Sequence, residues 1–260
     1  MTMLPSLFLS HGSPMLPLID SPARHFLTGL AAMLPRPTAI VVASAHWETR
    51  HPEVNAVARN GTIHDFRGFP RALYQLSYPA PGDPALAARI LAKLTAVGLP
   101  GELDTARGLD HGAWVPLLLA WPEADIPVLQ LSIQSHLGPA YHVRLGEALT
   151  SLRAEGILVV GSGSWTHDLR RFRGQPIDTP ETPDIVAFSD WMDHAITEGR
   201  RDDLLHYRDR APFAAEQHPT EEHLLPLFVA LGAAGAQFSP TRLHQSTEYG
   251  MLRMDAYAFA

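Results

Sequence analysis

Fourteen histidines and no cysteine set the chemistry open to this 260-residue chain. Without thiols there is no disulfide, no thiolate-bound zinc, no iron–sulfur cluster and no cysteine nucleophile. Imidazole remains as the main borderline ligand, and it suits Fe(II) and Zn(II) alike. Three histidines share one local pattern, an apolar run that ends at or just before a histidine with turn residues close by. The runs are Leu7-Phe8-Leu9-Ser10-His11-Gly12-Ser13-Pro14, Ile40-Val41-Val42-Ala43-Ser44-Ala45-His46-Trp47, and Ile157-Leu158-Val159-Val160 leading through Gly161-Ser162-Gly163-Ser164-Trp165-Thr166 to His167. One histidine at a strand end is commonly just a satisfied polar residue. The recurrence is what argues for a metal, because ligand sites of open α/β sheets lie outside the carboxyl ends of the strands.

Three further signals are less specific. His223 stands in His218-Pro219-Thr220-Glu221-Glu222-His223, where it reads as a ligand or as a helix-surface histidine whose acidic neighbours occupy a first helical turn. Asp110-His111-Gly112 and Thr166-His167-Asp168 each set a carboxylate beside a histidine. A histidine in a crevice gives or takes a proton near neutral pH, although sequence neighbours point in different directions. Other patterns fail. His218 and His223 are five apart, which breaks the spacing of the HExxH zinc helix. Gly161-Ser162-Gly163 is too short for a dinucleotide fingerprint, and Thr166 stands where a serine-hydrolase elbow needs glycine.

These side chains need a scaffold that brings distant segments together. Ser6–Ser10 and Ala39–Ser44 read as buried strands, joined by a helix that Ser21 caps and Pro22 opens, ending near Met33. That is a βαβ unit, and it places His11 and His46 on adjacent strands. Asp83-Pro84 opens a second helix, Ile126–Ile133 and Ile157–Gly161 are strands, and Pro139–Ala154 is an amphipathic helix between them. Residues 50–81 and 170–183 read as long loops, the second a candidate lid. Thr220 is expected to cap a helix over Glu221–Leu231, with Pro226 anomalous inside it, and the tail 237–259 to close the sheet. The whole predicts an α/β fold, a single domain over residues 1–260 with a central mixed, largely parallel sheet flanked by helices.

Composition narrows the partners. A net charge of −7 and the lack of a basic stripe argue against nucleic acid, and Arg170-Arg171-Phe172-Arg173 reads as a solvated loop. No secretory signal or membrane-length apolar run is visible, so a cytoplasmic location is expected.

The ordered motifs carry a resemblance. They are His11-Gly12-Ser13-Pro14, Ser44-Ala45-His46-Trp47, Ile63-His64-Asp65-Phe66 with Gly68-Phe69-Pro70, and Tyr78-Pro79-Ala80-Pro81-Gly82. Asp110-His111-Gly112, Gln130-Leu131-Ser132-Ile133, and Glu222-His223 with Leu225-Pro226-Leu227 follow. In types and order the chain resembles the class III extradiol ring-cleaving dioxygenases, which are LigB-like, and within them the DOPA 4,5-dioxygenase type. The weakest match is the segment from Gly161 to His167.

The resemblance implies that His11, His46 and His223 bind the metal. It makes His167 a base or a fourth ligand, and His111 a second acid/base or substrate-orienting group. It implies Fe(II) for activity, with Zn(II) possible in purified protein. It also implies a small aromatic diol and O2 as substrates, and a monomer or small homo-oligomer with no nucleic-acid or membrane partner. The loop carrying His64, Phe66 and Phe69 is then a candidate substrate wall, or else a satellite of the core. Two other functions fit a three-histidine site. One is a zinc-dependent hydrolase; the other is a Memo-like binding protein without catalysis, since fold does not fix function.

Overall fold

The computed structural model describes residues 3–260. The chain runs through β1 (Ser6–Ser10), α1 (Pro22–Gly29), β2 (Ala39–Glu48), β3 (Glu53–Asn55), α2 (Pro84–Ala96) and β4 (Glu102–Asp104). It continues through α3 (His111–Ala120), β5 (Val128–Ile133), α4 (Gly138–Glu147), β6 (Ile157–Gly163) and α5 (Pro183–Thr197). Three short helices follow, α6 (Arg201–Leu205), α7 (Tyr207–Arg210) and α8 (Ala214–Gln217). After them come α9 (Leu225–Ala234), β7 (Pro240–His244), β8 (Thr247–Glu248), β9 (Leu252–Arg253) and β10 (Ala256–Phe259).

Eight strands form one mixed sheet in the order β4-β3-β5-β2-β6-β1-β10-β7, and β8 pairs with β9 apart from it. Its centre, β5-β2-β6-β1, is parallel, and the antiparallel pairs lie toward the edges. β1 and β2 are therefore not neighbours, contrary to the expectation from the βαβ reading. β6 lies between them, pairing Leu7 with Val160 on one side and Val42 with Val160 on the other. A continuous apolar strand is suited to the centre of a parallel sheet, and β6 is buried along its whole length.

Strict alternation along the central strands builds two cores. Val41, Ala43, Val159 and Phe8 pack on the face covered by α2, α4, α5 and α9. Ile40, Val42, Leu158, Leu7 and Leu9 pack on the face covered by α1 and α3. α9 is buried at every residue, so its sequence shows no polar stripe. Each large apolar side chain removed from water there contributes roughly 1.5–3 kcal/mol.

Local readings needed three adjustments. The helix expected over Pro139–Ala154 breaks into α4 and a 3-10 turn at Thr150–Glu155. Thr220 caps nothing; α9 begins at Leu225, which puts Pro226 in its first turn, where a missing N–H costs no hydrogen bond. Residues 170–183 are irregular but fastened. The buried Arg253 reaches Asp255 (2.8 Å) and Glu181 (3.0 Å), and Arg171 reaches Asp184 (2.6 Å).

Candidate active site

The ends of β1 and β6, the outer part of β2 and the turn before α9 meet in one place. His11 follows β1 directly, and its N–H donates to the Gly163 carbonyl (2.9 Å). His46 lies inside β2 but past its last pairing with β6, Ser44 with Ser162, where the register with β5 is interrupted between Ala43 and Glu48. His223 sits in the turn ahead of α9, and its carbonyl accepts from the Ser164 N–H (2.8 Å). That approach depends on glycine. A Cβ on Gly163 would stand 2.0 Å from the His223 carbonyl oxygen, and one on Gly161 2.0 Å from that of Pro226. The Gly161-Ser162-Gly163 run is thus the bare backbone against which the third histidine's turn packs.

Three imidazole nitrogens converge. The Nε2 atoms of His11 and His46 are 3.0 Å apart, and those of His46 and His223 are 3.3 Å apart. The outer nitrogens set the tautomers. Ser162 Oγ donates to the Gly112 carbonyl, so it accepts from His11 Nδ1–H (3.0 Å). His223 Nδ1–H donates to Glu222 Oε1 (2.9 Å). With Nδ1 carrying the proton, His11 and His223 both aim bare lone pairs at His46 Nε2, which can donate at most one proton. A cation resolves that conflict. Nitrogens each about 2.0–2.1 Å from one ion lie about 2.8–3.4 Å apart between right and tetrahedral angles, and both distances fall there. The donor set and its hydrogen-bonded outer nitrogens fit a bound metal.

Electrostatics agree. Burial, then the charge that neighbouring imidazoles would share, drives His11 and His223 well below the ordinary histidine range. Burial and the facing His111 take His46 down to about 3. All three are neutral at physiological pH, the state in which imidazole binds metal.

A second group surrounds the first. His111 opens α3, its ring centroid 3.9 Å from that of His46. Its backbone N–H donates to Asp65 Oδ1 (3.0 Å) and its Nδ1–H to Asp65 Oδ2 (2.9 Å), so Nε2 is the nitrogen left for a substrate. Burial raises the Asp65 carboxyl, but the hydrogen bonds and charge of His111 outweigh it and hold the group at about 2. Asp110, adjacent in sequence, turns the other way. It caps α3, accepts from Ser44 Oγ (2.7 Å) and Arg107 (3.0 Å), and braces the strand below His46.

His167 stacks on His223 with centroids 3.4 Å apart and planes 11° from parallel. It clusters with Glu222 and His223, whereas His11, His46 and His223 cluster together without it. Burial takes it down to about 4. Asp168 is engaged by Arg170 (2.7 Å) and Arg171 (3.4 Å).

A cavity of about 510 Å³ opens beside these rings, and His11, His46, His111, His167 and His223 all line it. Phe66 and Phe69 are in its wall. His64 is not; it packs against Phe66 (5.6 Å between centroids) and its Nε2–H donates to the Leu76 carbonyl (3.1 Å). Its place is behind the wall. Leu169, Phe172, Tyr249 and Met251 also line the cavity; Phe172 comes from the loop read as a candidate lid, and Tyr249 and Met251 from a segment that carries no local signal of function. Asp65, Ser162 and Glu222 escape a residue-by-residue reading too, because their partners are recognised only once the chain is folded.

The chain matches the family described as the catalytic LigB subunit of aromatic ring-opening dioxygenase over residues 5–259. A Beta vulgaris protein named 4,5-DOPA dioxygenase extradiol is 46% identical over 256 residues, covering 97% of this chain and 95% of that protein. An Escherichia coli K12 protein of the same name is 43% identical over 257 residues, covering 97% and 93%. The crystal structure of an uncharacterized Escherichia coli K12 protein superposes with a TM-score of 0.81 at 36% identity, covering 99% of this chain and 100% of that one.

Proposed function

The chain belongs to the family of the catalytic LigB subunit of aromatic ring-opening dioxygenases, and from that premise we propose that it opens a substituted catechol, DOPA or a related ring, with O2 at Fe(II) held by His11, His46 and His223. It is an extradiol ring-cleaving dioxygenase; the proposal concerns its metal, its substrate and the residues that act. The observation that carries it is the convergence of three Nε2 atoms, two of them deprotonated by what their Nδ1 atoms bind. The same donors suit Zn(II), which competes for such sites by the Irving–Williams order. No helix of the described residues is long and apolar enough to cross a membrane. A cytoplasmic monomer or small homo-oligomer without a nucleic-acid partner belongs to the proposal.

When bound, Fe(II) supplies the redox chemistry with O2 and lowers the pKa of a catechol hydroxyl. The protein's part is to place and move protons. His167 is neutral and lines the cavity, so its imidazole is available to take a hydroxyl proton. His111 presents Nε2 to the ring while its Nδ1–H stays on Asp65, and the ionised Asp65 stabilises the imidazolium formed when His111 holds a proton. The apolar wall keeps bulk water from the open ring.

The test is anaerobic loading with Fe(II), then a catechol, then O2. One O2 consumed per ring and a yellow ring-opened product are expected. No product from any catechol would overturn the proposal, and ester hydrolysis with Zn(II) and no O2 would replace it with the hydrolase reading.

A further inference from the structure

His46 is held differently from the other two candidate ligands. β2 makes its last pairing with β6 at Ser44, and its register with β5 skips from Ala43 to Glu48. Among the described residues, Ala45, His46 and Trp47 pair with neither strand. A backbone released from its ladder needs other partners for its N–H and C=O. Side chains supply both. Ser44 Oγ accepts from the His46 N–H (3.2 Å), and Arg107 Nη2 donates to the His46 carbonyl (3.3 Å).

These two side chains are tied to each other. Ser44 Oγ donates to Asp110 Oδ1 (2.7 Å), and Arg107 Nη2 donates to Asp110 Oδ2 (3.0 Å). Asp110 is fully buried and also accepts from Gln130 Nε2 and from the Ala113 N–H (3.2 Å). One nitrogen of Arg107 therefore spends its two hydrogens on the carboxylate and on the carbonyl of His46. The guanidinium lies over the Trp47 ring, with Cζ 4.6 Å from the centroid, so the side chain that follows His46 aims it. The Arg107 backbone is anchored as well, its N–H donating to Asp104 Oδ1 (2.8 Å). Gly112 backs the His46 ring; a Cβ there would stand 3.0 Å from His46 Cδ2 and 2.5 Å from Ser44 Oγ.

We infer that Arg107 and Ser44, joined through Asp110, are positioning residues that hold His46 at the metal in place of the missing strand pairing. The inference rests on the proposed reading of His46 as a metal ligand. A binding constellation tolerates displacements of only about 0.5 Å, and Nε2 sits at the far end of its side chain, so a small rotation of an unheld backbone exceeds that limit. Lysine at 107 keeps the charge facing Asp110 but ends one bond short of Nη2. It cannot serve the carboxylate and the carbonyl together. Ser44→Ala removes the other hold with no change of charge.

The test loads metal-free protein anaerobically with Co(II) and reads affinity by competition with a chelator, beside thermal unfolding of the metal-free variants. Arg107→Lys and Ser44→Ala should each bind Co(II) about 10–100-fold more weakly than the parent. A merely structural role would lower the unfolding temperature and leave the affinity of the folded protein unchanged, so parental affinity in either folded variant overturns the inference. Should Arg107→Lys fail to fold, Ser44→Ala decides alone. His46→Ala separates the two levels. If it keeps its metal, the ligand reading falls and this inference with it. If it loses its metal while either folded variant binds as the parent does, this inference alone falls.

Discussion

Asp65 holds His111 with both carboxylate oxygens, one on the backbone N–H and one on Nδ1, and the second oxygen also lies 3.6 Å from Nδ1 of His46. One carboxylate thus fixes the histidine proposed to transfer protons and borders a candidate metal ligand. Asp65→Asn keeps the shape and removes the charge. Turnover should fall about 10–100-fold, with KM changed much less and the pH–rate profile displaced. A variant with wild-type kcat and an unmoved pH profile would remove Asp65 from the mechanism.

Metal content separates the histidines by role. His11→Ala, His46→Ala and His223→Ala should each lose most bound metal, measured by elemental analysis of protein loaded anaerobically. His111→Ala and His167→Ala should retain it and turn over slowly. Metal loss from His167→Ala would make His167 a ligand; metal loss from His111→Ala would refute its assignment as an acid/base group.

Acid should destabilise the fold through two histidines away from the metal ligands' lone pairs. Burial lowers His142 to about 4; its Nδ1–H donates to the Gly138 carbonyl and its Nε2 accepts from the Gln134 N–H. Burial lowers His218 to about 4 as well, with Nε2–H on the Trp165 carbonyl. The unfolded chain titrates these groups near 6.5, so between pH 6.5 and 4 it binds more protons than the folded one. Stability from this source is complete above about pH 6.5 and is lost as pH falls toward 4. The difference in unfolding free energy between pH 7 and pH 4.5, read from urea titrations, should shrink by about 2 kcal/mol in His142→Gln. An unaltered difference would mean that His142 is not held neutral.

Gly163→Ala tests the backbone contact under the third histidine. The added methyl meets the His223 carbonyl and has no flexible side chain to displace, so a loss of about 1–3 kcal/mol or more is expected. A weaker metal affinity should accompany it. Thermal unfolding and metal titration together check both, and a variant as stable as the parent would contradict the observed packing.

What the sequence makes legible is local. Apolar runs ending in His11 and near His46 announce the strands that bring these candidate ligands together, because burial and β-branching act within a few residues. Strand order is not announced, since β6 inserts between β1 and β2 from a segment far along the chain. Glu222 is visible beside His223, yet its reading as a first-turn carboxylate assumed a helix that begins three residues later. His64 shares a motif with Phe66 and only the fold shows that one lies behind the other. Phe172 and Tyr249 join the cavity from opposite ends of a long stretch of sequence, and nothing nearby in the chain signals their meeting.

The pairing of β1 with β10 joins the first strand of the chain to its last. During synthesis β1 emerges early and gains its β10 partner only after residues 256–259 have been made. His11 shares that wait, because His223 also arrives late. The proposed metal site therefore needs residues from both β1 and the turn before α9, and a nascent chain halted before His218 should capture no tightly bound metal in a pull-down of stalled complexes.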